Sequence, residues 1–351
     1  MSVVTTPAVD VPAPPATRWL SVLHETLYRY DAPVELAHHM ACLCPRDTPR
    51  QQVRGWRLRI DPPPDEWLQP GDPDTSAGGL APLAQLNEDS WGNRRLAFSH
   101  SRVHEQLRVV SAFEVGLAAE PGPPADDGPA WEDVAESLRY HAGAVRSEAV
   151  EFTLASVYAP RDPALAALAA EAFRPGLTLR AGAEALMHRV HERISYRPHS
   201  TTVATRAPEA LALGQGVCQD LAHVMIGACR SLGLAARYVS GYLLTHPPAG
   251  QPRLVGADAS HAWVEVWCPV QGWLALDPTN DVPAGLDHVT LAWGRDYADV
   301  APLRGVIRGG GQAEPEVAVT VAPWAESADS VDSAEPANPD EPAAKAAANP
   351  P

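Results

Sequence analysis

Residues 214–223, with the sequence GQGVCQDLAH, place a cysteine directly after a glycine-rich turn and at the start of an apolar helical pattern. The N–H groups and partial positive charge of a helix N-terminus favour the thiolate, which is the nucleophilic form of cysteine. The same N–H groups can bind an oxyanion beside the sulfur, and the glycines leave the approach to it open. Cys218 is therefore a candidate nucleophile, although a cysteine at a helix start is more often a small apolar core residue.

A histidine and an aspartate in residues 260–280, SHAWVEVWCPVQGWLALDPTN, could activate that thiol. Two predicted strands each show one alternating face, which carries His261, Trp263, Glu265 and Trp267 in the first strand and Trp273, Ala275 and Asp277 in the second. A hairpin turn at Cys268–Val270 would place His261 directly opposite Asp277, where Cβ atoms are about 4.5–5.5 Å apart. The carboxylate would then orient the imidazole and stabilise its charged form. A slip of one residue would turn one of the two side chains to the other face.

Neighbouring residues could line the same site. Gly216, Gln219 and Asp220 surround the cysteine at the helix start. The backbone N–H of Gln219 is a better oxyanion donor than its side chain. Asp220 could tune the site, or it could simply be an acid that the helix dipole favours in a first turn. Asp258 and Asn280 are the alternative orienting groups if the hairpin register differs.

The elements that must position these residues are helices followed by strands. Apolar periodicity predicts helices over 162–173, 178–194 and 218–232, and strands over 236–244, 261–267 and 272–277. Gly233 is the expected stop of the third helix. Helices followed by strands indicate an α+β fold with an antiparallel sheet rather than alternating βαβ units.

Strand patterns dominate the first third of the chain. Alternation predicts strands over 22–30, 54–62 and 107–115, separated by the turn sequences PPPD, PGDP and WGN. Short strands at this spacing are typical of an antiparallel β-sandwich.

Composition divides the chain into five segments. They are a disordered Pro/Ala-rich segment 1–17, a β-rich domain 18–118, a linker or long loop 119–130, an α+β catalytic domain 131–322 and a disordered acidic tail 323–351.

Bulk composition excludes several classes of partner. The net charge of −16 argues against a nucleic-acid or anionic membrane surface. No signal peptide and no apolar run long enough to span a bilayer is apparent. Five cysteines, an odd number in a long chain, are more typical of reduced thiols than of a disulfide framework. We therefore expect a cytoplasmic protein with neither nucleic-acid nor membrane partners.

The sequence HHMACLC at 38–44 contains residue types that bind zinc. Its spacing matches no closed structural zinc site. No acidic loop of the calcium-binding kind is present either. The sequence accordingly predicts neither a metal nor another cofactor.

Three blocks, GVCQDLAHVMIGACRSLGLAARYVSGYL, DASHAWVEVW and GWLALDPTN, resemble the core of the transglutaminase-like superfamily over roughly residues 160–280. Upstream, HETLYRY, CPRDTPRQQ and DSWGNRR resemble the β-rich N-terminal domain of its bacterial members. The resemblance implies a papain-like α+β core. It also implies that Cys218 is the nucleophile, His261 the general base and acid, and Asp277 the orienting carboxylate.

The implied chemistry is acyl transfer from amide bonds of peptides or proteins through a thioester on the cysteine. Water as acceptor would give a protease, amidase or deamidase, and an amine would give transglutamination. Hydrolysis is slightly favoured, because neither a propeptide nor a cross-linking segment is evident. A catalytically silent binding module is the alternative, which the intact Cys, His and Asp argue against. An acyltransferase using a coenzyme thioester is disfavoured, because no glycine-rich phosphate-binding loop is present.

Overall fold

The computed structural model describes residues 18–67, 79–81, 86–119, 128–139, 147–246 and 260–324. Two segments predicted to be disordered, 1–17 and nearly all of 323–351, lie outside the described residues. Residues 120–127 of the predicted linker and the alternative orienting residue Asp258 also lie outside them. Among the described residues, no helix combines the length and apolar character that crossing a bilayer requires.

The N-terminal region forms one antiparallel sheet of eight strands. The strands are β1 Arg18–Cys44, β2 Gln51–Asp61, β3 Glu66–Trp67, β4 Asn87–Glu88, β5 Arg94–His100, β6 His104–Leu117, β14 Leu303–Gly309 and β15 Pro315–Pro323. The first half of β1 pairs with β6 and β15, and its second half pairs with β5 and β14. The register is irregular between Arg29 and Val34, where the long strand exchanges its neighbours and the sheet curls.

Two of these strands come from the end of the chain. β15 pairs with the start of β1 (Leu20 opposite Pro323), and β14 pairs with its end (Ala41 opposite Leu303). The sequence placed residues 131–322 in the catalytic domain, but by hydrogen bonding residues 303–323 are part of the N-terminal sheet. The sequence of an exposed edge strand does not indicate which distant strand it pairs with. Composition therefore could not show that β14 and β15 pair with β1.

The α+β region, from residue 131 onward, begins with helices. They are α1 Trp131–Ser137, α2 Pro163–Ala172, α3 Leu179–Arg193, α4 Ala207–Leu213, α5 Cys218–Ser231 and α6 Tyr297–Val300, with a short 3₁₀ helix at Glu148–Thr153. Side-chain caps explain where two of them start, because Asp162 accepts a hydrogen bond from Ala164 N and Thr178 accepts one from Ala181 N. The three predicted helices are confirmed to within a residue or two at each end.

A second antiparallel sheet lies against α5, in the order β12-β11-β10-β9-β13. Its strands are β9 Ala236–Leu243, β10 Ser260–Cys268, β11 Gly272–Asp277, β12 Val282–Pro283 and β13 His288–Gly294. A short parallel pair, β7 Ser195–Tyr196 and β8 Gln215–Gly216, lies just before α5. The predicted α+β class is confirmed, and the three predicted strands of this region are present.

The hairpin of β10 and β11 has a different register from the predicted one. Trp267 lies opposite Trp273, whereas the predicted turn at Cys268–Val270 would have placed Trp267 opposite Gln271. The turn is therefore at 269–271, and Gly272 closes it with a φ of 74°, a conformation that favours glycine. The shift is two residues, so each side chain stays on its predicted face. His261 and Asp277 become diagonal instead of direct neighbours, and they remain within reach of each other.

The two regions are joined along the outer edge of β13. Gln51 donates to Thr290 O at 2.7 Å and accepts from Thr290 N at 2.8 Å. The Asn93 side chain likewise donates to Trp293 O at 2.7 Å and accepts from Trp293 N at 3.0 Å. The Arg46 guanidinium lies 3.4 Å from the Trp293 ring centroid. Two side-chain amides thus satisfy a strand edge that would otherwise be unpaired.

Candidate active site

Cys218 is the first residue of α5, and the residues before it end α4 and cap the start of α5. α4 ends at Gly214, whose φ of 64° requires glycine. Val217 then adopts an extended conformation as the N-cap of α5. The thiol is half-buried, whereas the four other cysteines, all unpaired, are buried. A half-buried thiol at a helix N-terminus is reachable by substrate and lies in the positive field of the helix.

Asp220 caps this helix from within its first turn. Its Oδ2 accepts from Val217 N at 2.8 Å and from the Thr201 hydroxyl at 2.6 Å. A Cβ on Gly216 would lie 2.7 Å from the Asp220 Cβ, so only glycine permits this packing. Burial raises the pKa of Asp220, and the two hydrogen bonds oppose that rise. These contacts give Asp220 a structural role in the first turn of the helix, and a role in tuning the site stays a prediction.

Gln219 turns its side chain away from the sulfur. Its amide Nε2 donates to Val203 O at 3.2 Å, in the loop that precedes α4. The backbone N–H groups of a first helical turn have no acceptor within the helix. The Gln219 side chain is thus engaged elsewhere, and the expectation that its backbone N–H is the better oxyanion donor stays a prediction.

His261 connects the thiol to a buried carboxylate. Its Nε2 lies 2.7 Å from Asp277 Oδ2, and the nearby Cys218 thiol, like the carboxylate, raises the pKa of its ring. Because Nε2 is engaged by the carboxylate, Nδ1 is the nitrogen left for the sulfur. His261 is 8% exposed and Asp277 is 0% exposed, so solvent does not compete for this pair. The structure brings together the three residues that the sequence selected.

Asp277 accepts hydrogen bonds at both of its oxygens. Oδ2 accepts from Asn280 Nδ2 at 2.7 Å and from His288 Nε2 at 3.1 Å, besides the bond from His261. Oδ1 accepts from Thr279 N at 2.9 Å and Asn280 N at 3.3 Å. A buried carboxylate with this many donors is stable as an anion.

These contacts shift the pKa of both partners. Burial by itself would lower the pKa of His261, but its hydrogen bonds to Asp277 and Cys218 outweigh burial and raise that pKa to about 10. Burial likewise raises the pKa of Asp277, and the bonds from His261, His288 and Asn280 hold it well below its ordinary range. The resting site is therefore predisposed to an imidazolium beside an ionised carboxylate.

Comparisons with known proteins agree with this geometry. The model of the transglutaminase-like superfamily core matches residues 166–278, and that of the bacterial transglutaminase-like N-terminal region matches residues 20–75. An uncharacterized protein of Mycobacterium tuberculosis is 37% identical over 311 residues, which cover 86% of this chain and 92% of the relative.

The chain belongs to the transglutaminase-like superfamily. A protein-glutamine gamma-glutamyltransferase of Pseudomonas aeruginosa is 35% identical over 133 residues, covering 34% of this chain and 20% of that enzyme. The solved structure of a candidate cysteine protease from Cytophaga hutchinsonii has a TM-score of 0.63 and 19% identity, covering 88% of this chain and 91% of that one. This second likeness shows that the two chains share the fold.

His288 also contacts Asp277, and the sequence analysis did not identify it as a site residue. It lies on β13, beyond the residues matched by the core model, and is 9% exposed. Gly285 N donates to its Nδ1 at 3.2 Å, so Nε2 carries the proton that is donated to Asp277. No local pattern marks such a residue, because β13 reaches Asp277 only through the assembled sheet.

Trp263 packs the histidines from behind. Its ring is 6.2 Å from that of His261 and 5.3 Å from that of His288, centroid to centroid. A Cβ on Gly241 would lie 2.6 Å from the indole, so the glycine of β9 makes room for it. Trp263 is 1% exposed, so its indole packs the hairpin and does not offer a surface to substrate.

The ligating atoms of His261, Asp277 and His288 lie within 4.8 Å of one another, close enough to consider a metal. The proton assignment argues against that use, because both imidazole Nε2 atoms donate to the carboxylate at hydrogen-bond distance. A metal ligand would have to present a lone pair there. We therefore interpret this group as a hydrogen-bonded network.

Proposed function

We propose that the protein is a thiol-dependent enzyme that transfers acyl groups from amide bonds of peptides or proteins. The observation that carries the proposal is the position of His261, which is hydrogen-bonded to the buried Asp277 through Nε2 and whose pKa is raised by both Asp277 and the Cys218 thiol. An imidazolium held beside the sulfur favours the thiolate, and the helix start adds its own positive field.

The reaction follows from these positions. The Cys218 thiolate attacks the amide carbonyl carbon, and the resulting oxyanion is stabilised by the backbone N–H groups of Cys218 and Gln219. His261 gives its proton to the leaving amine, the C–N bond breaks, and a thioester remains on the sulfur. His261 then removes a proton from the incoming acceptor, which attacks the thioester and releases the thiolate.

Water is the acceptor that we expect first. Cys218 is only half-buried, so water has access to the thioester, whereas transfer to an amine needs a site that excludes water. The products of hydrolysis are a carboxylic acid and the free amine. The unpaired state of all five cysteines supports a cytoplasmic location, as the sequence predicted.

An acyl-trapping experiment tests the proposal. The full chain is incubated with a p-nitrophenyl ester of a short peptide, and the peptide containing Cys218 is examined by mass spectrometry. We expect a thioester adduct on Cys218 that is absent from the Cys218→Ser variant and that decays in water. Addition of a lysine-like amine would accelerate the decay and give a new amide only if the protein is a transglutaminase.

Failure to acylate Cys218 with any of a panel of esters and glutamine peptides would contradict the enzyme proposal. That result would favour the alternative of a silent binding module. Alkylation by iodoacetamide in the same samples shows whether the Cys218 thiol is accessible, and protection of the buried Cys229 and Cys268 shows that the chain is folded, so a misfolded preparation is not mistaken for a silent site.

A further inference from the structure

The N-terminal sheet contains a second cluster of buried histidines, remote in sequence from the catalytic centre. His39 of β1, His100 of β5 and His104 of β6 are 7%, 1% and 9% exposed, respectively. The ring centroids of His100 and His104 are 4.9 Å apart, and those of His39 and His100 are 6.2 Å apart.

Strand pairing explains why these rings meet. Ala37 of β1 lies opposite His100, so His39, two residues further along β1, has its side chain on the same face. The chain then turns at 101–103 and returns as β6, which brings His104 back beside His100. Asp65 holds this turn, because its Oδ2 accepts hydrogen bonds from the backbone N–H groups at 101 and 102.

The hydrogen bonds of two rings fix their tautomers. His100 Nε2 donates to Pro62 O at 2.8 Å, and His104 Nδ1 donates to Arg102 O at 3.0 Å. A neutral imidazole that donates from one nitrogen presents a lone pair at the other. Those other atoms, His100 Nδ1 and His104 Nε2, are buried and have no partner among the described residues. His39 Nδ1 is in the same condition.

Burying these three nitrogens destabilises the fold, because each loses its hydrogen bonds to water and gains none within the described part of the protein. Metal-binding histidines in proteins usually donate the second ring N–H to a carbonyl or carboxylate, as His100 and His104 do here. Burial also keeps rings neutral, because it lowers the pKa of His39 to about 4 and lowers that of His100. A Cβ on Gly305 would lie 2.6 Å from His39 Cδ2, so the facing strand leaves room for this ring.

We propose that His100 and His104, with His39 as a third ligand, bind a divalent transition-metal ion such as Zn²⁺. Imidazole-only ligand sets suit Zn²⁺, Cu²⁺ and Ni²⁺. The His100–His104 pair on one hairpin is the primary chelate, and His39 completes the site by a rotation of its ring. The cysteines of HHMACLC do not take part. Cys42 is an odd number of positions from His39 and faces the other side of β1. Cys44 lies beyond the irregularity that follows Ala41, opposite Arg94, whose guanidinium contacts its sulfur.

Zinc titration of the full chain tests this site. The parent for the titration carries Cys218→Ser and His261→Ala, which removes competing ligands at the catalytic centre. Calorimetry with Zn²⁺ is expected to show one site per chain. His100→Gln and His104→Gln should each weaken binding at least about tenfold, and His39→Gln should weaken it less.

His38→Ala is the matched control, because His38 is adjacent in sequence but exposed on the opposite face of β1. It is expected to bind Zn²⁺ as the parent does. Absence of saturable binding, or affinities that do not change in the His100 and His104 variants, would overturn the proposal and leave the cluster as a site for buried water.

Electron paramagnetic resonance with Cu²⁺ gives a second readout on the parent, in case the variants fail to fold. Hyperfine coupling to at least two imidazole nitrogens is expected. Coupling to no nitrogen, or a thiolate-to-Co²⁺ charge-transfer band after cobalt addition, would place the metal elsewhere and contradict the assignment. Neither measurement depends on catalytic activity, so failure here is distinct from failure of the proposed function.

Discussion

The molecule has two groups of buried histidines, and they differ in what surrounds them. At the candidate active site, His261 and His288 share one carboxylate, Asp277, to which both are hydrogen-bonded through Nε2. In the N-terminal sheet, three rings meet, and among the described residues none of them is hydrogen-bonded to a carboxylate and each has one buried nitrogen with no partner.

The difference shows that burial alone does not decide the charge of a histidine. The carboxylate makes the charged form of His261 favourable and raises its pKa to about 10. His39, buried to a similar degree, has a pKa lowered to about 4, mainly because of burial and secondarily because of His100, His104 and His38. One group is suited to move a proton, and the other presents lone pairs.

The largest expected effect comes from removing the carboxylate. Asp277→Asn takes away the anion that orients His261 and stabilises its charge. We expect the rate of Cys218 alkylation at pH 6 to fall by about 10²–10⁴-fold. Peptide mass spectrometry measures this rate, and the buried Cys229 and Cys268 in the same sample are internal controls. An unchanged rate would mean that Asp277 does not act through His261.

The second effect concerns the residue that the sequence did not reveal. His288→Gln removes a hydrogen bond to the charged Asp277, which is worth about 1.5–3 kcal/mol. Alkylation of Cys218 should therefore slow by about 10–100-fold, and its pH profile should shift, because the orientation and charge of His261 change with it.

His188→Gln is the control for that variant, since His188 is exposed and pairs with Asp281 outside the network. It should label Cys218 at the wild-type rate. If His288→Gln merely lowers thermal stability and leaves the pH profile in place, His288 is a packing residue and its proposed positioning role is wrong.

A third prediction concerns stability at high pH. The pKa of His261 is about 10 in the folded protein and 6.5 in an unfolded chain, so protonation stabilises the fold. This contribution is complete below pH 6.5 and is lost as the pH rises through 10. Urea unfolding should find wild type about 1.5 kcal/mol more stable than His261→Gln near pH 6. The unfolding free energies of the two proteins should become equal above pH 10. A difference that stays constant with pH would show that protonation of His261 does not stabilise the fold.

The smallest expected effect is on stability at low pH, and it comes from the histidine cluster of the N-terminal sheet. Its pH dependence is opposite to that of His261. The pKa of His39 is about 4 in the fold, below the unfolded value of 6.5. Falling pH therefore favours the unfolded chain, and the loss accumulates between pH 6.5 and 4. Between pH 7 and 5, the free energy of unfolding of His39→Phe should therefore fall by about 1 kcal/mol less than that of wild type. Parallel stability curves for wild type and variant over this range would count against a neutral, buried His39.

The sequence by itself selected the residues of the candidate active site and determined the faces on which they lie. Glycines before Cys218 and the apolar period after it were enough to predict a helix with a thiol at its start. Alternation put His261 and Asp277 on facing sides of two strands, and because the side-chain period is two, a two-residue error in register did not separate them.

Only the tertiary structure decided which distant residues meet. His288 reaches Asp277 through β13, whose free edge is satisfied by Gln51 and Asn93 of the N-terminal region. The return of β14 and β15 to β1, and the meeting of His39 with rings from β5 and β6, have the same origin. Periodicity records which face of a strand is buried, whereas pairing between strands depends on the packing of the whole chain.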